Sequence, residues 1–238
     1  MESGAHLTVI AAFEAATGGD ATRPLITFYD DATGERTELS GVTLRNWVAK
    51  TANLLVDGCA LGTGDIARVA LPPHWQTAAV LLGVWSAGLA VDMDGSGGPA
   101  AVAFTTVDGH GDAEADEVFV LALAPMAAPV RPGPPPGAAD YVVEVRGHGD
   151  QFPGGAVSPQ TTALADGTPH AELVARARQR GVPPGARLLI DGDATTDPVD
   201  WLVAPLVSGA SIVLCRNLEP ARREARLATE RATPWPPS

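Results

Sequence analysis

The segment from Leu61 to Met93, LGTGDIARVALPPHWQTAAVLLGVWSAGLAVDM, constrains this chain more than any other. Ile66 to Leu71 is a short aliphatic run, opened by Gly62, Gly64 and Asp65 and closed by Pro72-Pro73, which cannot continue a strand ladder. From Trp75 to Ala87 the apolar residues Ala78, Ala79, Leu81, Leu82 and Trp85 recur at helical spacing, and Gly88 offers the left-handed stop that ends many helices. Leu89 to Met93 follows as a second strand. Two strands joined by a helix of this length are parallel with a right-handed crossover, and a parallel sheet needs cover on both faces. The segment therefore predicts an α/β fold.

The flanking sequence extends that pattern. Leu7 to Ala16 carries Leu7, Ile10, Ala11 and Phe13 on one side and predicts an amphipathic opening helix, ended by Gly18-Gly19. Leu25 to Tyr29 and Arg36 to Leu39 flank the turn sequence Asp30-Asp31-Ala32-Thr33-Gly34 and predict a hairpin. Thr43 is expected to cap the next helix, whose apolar face is Leu44, Trp47, Val48, Leu54 and Leu55 and which Gly58 ends. Strands are expected over Ala101 to Thr105 and Val118 to Ala122, with the acidic stretch Asp112 to Glu117 as a solvated loop or short helix start between them. Pro125 to Gly137 is dominated by proline and small residues and is expected to be an extended connector. A short helix is expected over Ala138 to Arg146 and loop over Gly147 to Ala165.

Thr168-Pro169 then opens a helix that Gly181 stops, and Arg187 to Ile190, Val199 to Val207 and Ala210 to Cys215 repeat the strand, helix, strand order. Pro220 to Arg231 reads as an Ala/Arg/Glu-rich helix. The expected architecture is two βαβ units in mainly parallel sheets with helices on both faces. Residues 1–124 would form a first α/β subdomain, 125–137 a connector, 138–232 a second subdomain and 233–238 a loose tail.

Composition removes several classes of function. The 238 residues are 45% hydrophobic, enough for a sizeable core, and carry a formal charge of −12, which disfavours nucleic acid and anionic lipid as partners. The longest apolar run, near Val80 to Val91, is too short to span a bilayer. Two cysteines, Cys59 and Cys215, give no disulfide framework, so a cytoplasmic setting is expected. The chain holds a single lysine, Lys50, against fifteen arginines. Any chemistry that needs a mobile ammonium must use it.

His74 and Trp75 follow a strand end, the usual place for ligands in a parallel sheet, although a helix cap and a core anchor are the favoured account of them. The repeated Gly-His-Gly-Asp at Gly109 to Asp112 and Gly147 to Asp150 does not amount to a metal site, and none is expected. No Gly-x-Ser-x-Gly elbow occurs, and Cys215 reads as a small buried hydrophobe.

Gly64-Asp65, Arg68-Val69-Ala70, Leu71-Pro72 and Gly83 through Gly88-Leu-Ala-Val resemble the front part of the acyl-adenylate-forming (AMP-binding) enzymes, which include acyl-CoA synthetases and luciferases. The hairpin before Thr43-Leu44, the Asn53-Leu54 helix, His170-Ala-Glu-Leu173 and Pro205-Leu206 to Val213 match the same region, so the resemblance runs from about Phe13 to Leu214. It implies the front α/β scaffold of that family. It also implies a Ser/Thr/Gly-rich phosphate loop ending in Pro-Lys, for which this chain has Gly154 to His170, GGAVSPQTTALADGTPH. His170 stands where the lysine would, and Lys50 lies on the early helix. Asp166, Thr168, His170 and His74 are the candidate nucleotide contacts. The family's later ribose-binding aspartate and catalytic lysine belong to segments beyond the one matched by Leu214.

Three functions follow from this reading. The first is a catalytically degenerate relative acting as a binding or interaction module, with no cofactor and with a second copy or another protein as partner. The second is an active AMP-dependent ligase using ATP at an atypical or partner-completed site. The third is a purely structural assembly partner.

Overall fold

The structure, a computed structural model, describes residues 7–154 and 157–236. These residues form two compact units that interleave along the chain, one built from 7–44, 72–78 and 171–236 and the other from 45–71, 79–154 and 157–170. The proline-rich stretch 125–137, expected as the boundary, falls inside the second unit.

The first unit contains helix α1 (Val9–Thr17), the hairpin β1 (Pro24–Asp30) and β2 (Glu35–Ser40), and strands β8 (Arg187–Asp191), β9 (Ser211–Arg216) and β10 (Thr233–Trp235). They lie in the order β10-β8-β9-β1-β2, all parallel except the β1–β2 hairpin. β8 and β9 are buried over their whole centres, as central parallel strands must be. Their connection runs through a wide π-type turn, Val199–Val203, into the short helix α6 (Ala204–Val207), and Gly209 at φ +64 leads into β9. The helix α7 (Pro220–Glu230) precedes β10. The loose tail expected over 233–238 is instead a strand over Thr233–Trp235, paired parallel to β8. Trp235 is the reason: its indole is buried and its Nε1–H donates to Asp200 O at 3.2 Å. Pro234 is tolerated because β10 lies at the sheet edge.

The second unit holds an all-parallel sheet in the order β4-β3-β5-β6-β7, made of β3 (Ile66–Ala70), β4 (Ala90–Asp92), β5 (Ala100–Thr106), β6 (Ala115–Leu121) and β7 (Ala139–Asp140). The helix α3 (Trp75–Ser86) links β3 to β4, as the opening segment required. Its residues are buried all round, the state expected of a helix without a polar face. Gly88 takes φ +85 at its end, and Leu89 N–H returns to Val84 O at 3.1 Å. Gly83 faces α2 (Gly41–Asn53), where an added Cβ would meet Thr51 Cβ at 2.5 Å.

Three local expectations differ. Ser40, not Thr43, caps α2, its Oγ accepting Thr43 N–H at 3.2 Å. Ala115 to Glu117 join β6, because pairing with Ala100 and Val102 of β5 outweighs their polarity. The short helix expected over Ala138 to Arg146 splits into β7 and α4 (Tyr141–Arg146) at Asp140. Asp140 Oδ1 accepts Val142 N–H at 2.8 Å, while Oδ2 accepts Val130 N–H at 2.6 Å. One carboxylate thus caps a helix and ties down the proline-rich stretch. Among the described residues no helix is long and apolar enough to cross a membrane.

Candidate functional site

In the second unit the segment from Thr161 to His170 folds into a tight hairpin closed on itself. Ala163 and Leu164 N–H both donate to Thr168 O, at 2.8 and 3.1 Å, Gly167 N–H donates to Leu164 O at 3.0 Å, and His170 N–H donates to Thr161 O at 3.0 Å. Gly167, at φ +92, supplies the turn. The flank is stitched to β4: Ala165 N–H donates to Val91 O and Val91 N–H to Ala163 O, both at 2.9 Å. Trp85 of α3 fixes the base from below by donating Nε1–H to Ala163 O at 2.9 Å. At the exposed tip, Asp166 Oδ1 accepts Thr168 N–H at 2.9 Å. The amides of 163, 164, 165, 167, 168 and 170 are therefore all engaged inside the protein.

Asp166, Thr168 and His170 are thus brought together on one hairpin. Gly155 and Ala156, part of the stretch expected to hold phosphate, lie outside the described residues. His170 opens α5 (His170–Gln179), is fully buried, and sits edge-on to Trp85 with ring centroids 6.5 Å apart. Burial pushes its pKa down to about 4, so the imidazole is neutral at pH 7. Where a phosphate-gripping loop would carry a cation, this hairpin carries an uncharged ring and an acidic tip. Lys50 is on α2, its Nζ donating to His148 O. Arg146 is occupied by Ala127 O at 2.9 Å.

His74 belongs to the first unit and precedes α3. Its Nδ1 accepts Gln76 N–H at 3.0 Å, capping the helix and leaving the ring proton on Nε2. Its ring meets Phe28 of β1 edge-on, centroids 4.3 Å apart. Burial drives its pKa down to about 3, with the nearby Arg216 cation adding to the shift and Asp30 opposing it. His74 Nε2 and both side-chain amide atoms of Gln76 are buried without a hydrogen-bond partner. Such groups are costly unless a ligand or ordered water meets them. At neutral pH this histidine can donate a hydrogen bond but is too weak a base for proton abstraction.

The surrounding carboxyl ends of β1, β8 and β9 form a polar rim. Asn217 Nδ2–H donates to Asp30 Oδ1 at 2.8 Å, Arg216 Nε–H to Asp193 Oδ1 at 3.3 Å, and Asp193 N–H to Asp191 Oδ1 at 3.1 Å. Ligands of parallel sheets sit at such ends. A hollow of about 250 Å³ lined by Thr17, Asp20, Arg23, Gly185 and Ser211 opens at the opposite, amino ends of the same strands. Among the described residues no group of three His, Cys, Asp or Glu side chains could hold a metal ion. Gln76 escaped the sequence reading, although a lone amide in the first turn of an otherwise apolar helix was a signal for it.

Comparison with known proteins places this geometry. The fold matches an acyl-CoA synthetase from Brucella canis with a TM-score of 0.73 at 17% identity, covering 95% of this chain and 46% of that one. It also matches acetoacetyl-CoA synthetase from Streptomyces lividans, with a TM-score of 0.70 at 17% identity over 95% and 41% of the two chains. For the anthranilate CoA ligase AuaEII in complex with anthranoyl-AMP the TM-score is 0.69 at 11% identity, over 96% and 48%. The chain thus spans less than half the length of these solved enzymes, and its expected likeness to the adenylate-forming fold holds. No protein-family model matches the sequence. A Mycobacterium tuberculosis protein named "TIGR03089 family protein" is 43% identical over 225 residues, covering 90% of this chain and 91% of its own length. At that identity and coverage the chain belongs to the TIGR03089 family.

Proposed function

We propose that this chain is a non-adenylating member of the acyl-CoA synthetase fold that serves as a binding module. The observation that carries the reading is the hairpin from Thr161 to His170, whose amides at 163, 164, 165, 167 and 170 are spent on carbonyls of the hairpin and of β4 and whose tip is the carboxylate of Asp166, which takes the Thr168 amide. Transfer of a nucleotidyl group relies on donors and cations aimed at phosphate oxygens. Losing one charge-assisted phosphate contact costs about 1.5–3 kcal/mol, and His170, neutral and buried, does not replace it. Asp166 adds like-charge repulsion at the same place.

The start of α3 supports binding over a purely structural role. A protein selected only for stability gains nothing from burying His74 Nε2–H and the Gln76 amide without partners. Two donors and one acceptor there suit a small polar ligand. The test is pyrophosphate release by the purified protein from magnesium–ATP with a panel of carboxylic acids. The reading expects none above the protein-free control. Release that depends on an acid would overturn it and favour an active ligase.

A further inference from the structure

Helix α7 is docked in an unusual way. Its buried residues are Arg226 and Glu230, both charged, and Leu227 is its one apolar side chain packed on the sheet, partly buried against Leu189, Val213 and Cys215. A helix covering a sheet normally does so with an apolar stripe.

Two ionic seams hold it instead. Asp31, just past the end of β1 with its side chain 3% exposed, receives Arg226 through both terminal guanidinium nitrogens, at 2.7 and 3.3 Å. It also accepts Glu219 N–H at 2.9 Å and lies 3.6 Å from Arg222. The Arg226 guanidinium lies 4.1 Å from the Tyr29 ring centroid and 3.7 Å from Cys215 Sγ. At the far end Glu230 accepts from Tyr29 Oη–H and Arg187, and from Arg36 at 3.3 Å, while Arg187 Nε–H donates to the Glu230 carbonyl at 2.9 Å. The strand β10 that follows adds three residues of edge pairing and the buried indole of Trp235.

We propose that α7 and β10 form a detachable flap, held over the β8–β9 face by these charges, which opens as a unit while the sheet beneath stays folded. Buried pairs of this kind are firm while complete. Neutralising one partner strands the other in a dry site, so the dependence on any single charge is steep. Opening gives up the burial of Leu227 and of the Trp235 indole but no apolar stripe along the helix, which places the flap among the segments that open below the free energy of global unfolding. Opening uncovers Leu189, Val213 and the thiol of Cys215.

Cys215 supplies the reporter. In a Cys59→Ser background, thiol labelling by a disulfide reagent at fixed pH 7.5 is followed against urea and compared with global unfolding by fluorescence. The proposal expects labelling of the otherwise unaltered protein with a shallow urea dependence, less than half the global slope. Glu230→Gln or Asp31→Asn should raise the rate tenfold or more with the sheet still folded, while Glu172→Gln, which breaks an exposed pair on α5, leaves it within twofold. Labelling whose urea slope equals that of global unfolding would overturn the proposal, and that measurement needs no substitution beyond Cys59→Ser.

Discussion

Acidification gives a quantitative test of the two buried imidazoles. His74 and His170 are 1% and 0% exposed, and burial lowers their pKa values to about 3 and about 4, against about 6.5 in an unfolded chain. Between those limits the unfolded state binds protons that the folded state refuses, so stability falls as pH drops below 6.5 and the loss is complete only near the folded values. Lowering the pH from 7.5 to 5.0 covers about 1.5 units of that window. At about 1.4 kcal/mol per unit, each histidine then costs about 2 kcal/mol and the pair about 4 kcal/mol.

Asp31 and Glu230 also have lowered pKa values in the folded state, although burial alone would raise them: hydrogen bonds and charge from Arg226 for Asp31, and from Tyr29 and Arg187 for Glu230, outweigh it. Their contribution is present above the unfolded carboxylate values, near 4, and disappears only as pH falls through the lower folded ones, so it leaves the 7.5 to 5.0 interval largely untouched. Urea unfolding at half-unit pH steps measures the effect, and His170→Gln should remove about half of it. A stability that stays level from pH 7.5 to 5.0 would show that the rings are solvated, and the argument for a neutral His170 would fail.

Three substitutions test the packing by urea midpoints. Gly83→Ala should destabilise by about 1–3 kcal/mol despite alanine's better helix propensity, because its Cβ would sit 2.5 Å from Thr51 Cβ. Asp140→Ala should cost about 2–3 kcal/mol, since it strips acceptors from Val130, Val142 and Val143 N–H at once. Gln76→Met should raise stability by about 1 kcal/mol by removing an unpartnered buried amide, and should abolish any small-molecule thermal shift that the parent shows. A loss of stability in that variant would mean the amide is satisfied in solution by ordered water.

The sequence reveals the fold where one physical signal acts alone. β3, α3 and β4 are legible because burial makes α3 apolar all round and Gly88 has the only backbone freedom that its stop requires. The interleaving of units is not legible, because β1 finds its partner β9 across nearly the whole chain and no local pattern encodes that pairing. Trp235 shows the same limit, since a proline-flanked terminal tryptophan reads as loose until β8 offers an edge and Asp200 a carbonyl. For the site, Asp166, Thr168 and His170 could be placed together from their spacing. The closure of their hairpin could not, because it rests on backbone bonds to Val91 far away in sequence. Asp140 is invisible to the same reading: nothing local says that one carboxylate will serve both a helix start and a distant amide.

If the hairpin from Thr161 to His170 lacks a grip on triphosphate, as proposed, calorimetric titration of the intact protein with magnesium–ATP gives heats indistinguishable from dilution up to millimolar nucleotide. A saturating isotherm in the micromolar range, weakened by Thr168→Ala or His170→Ala, would contradict the proposal.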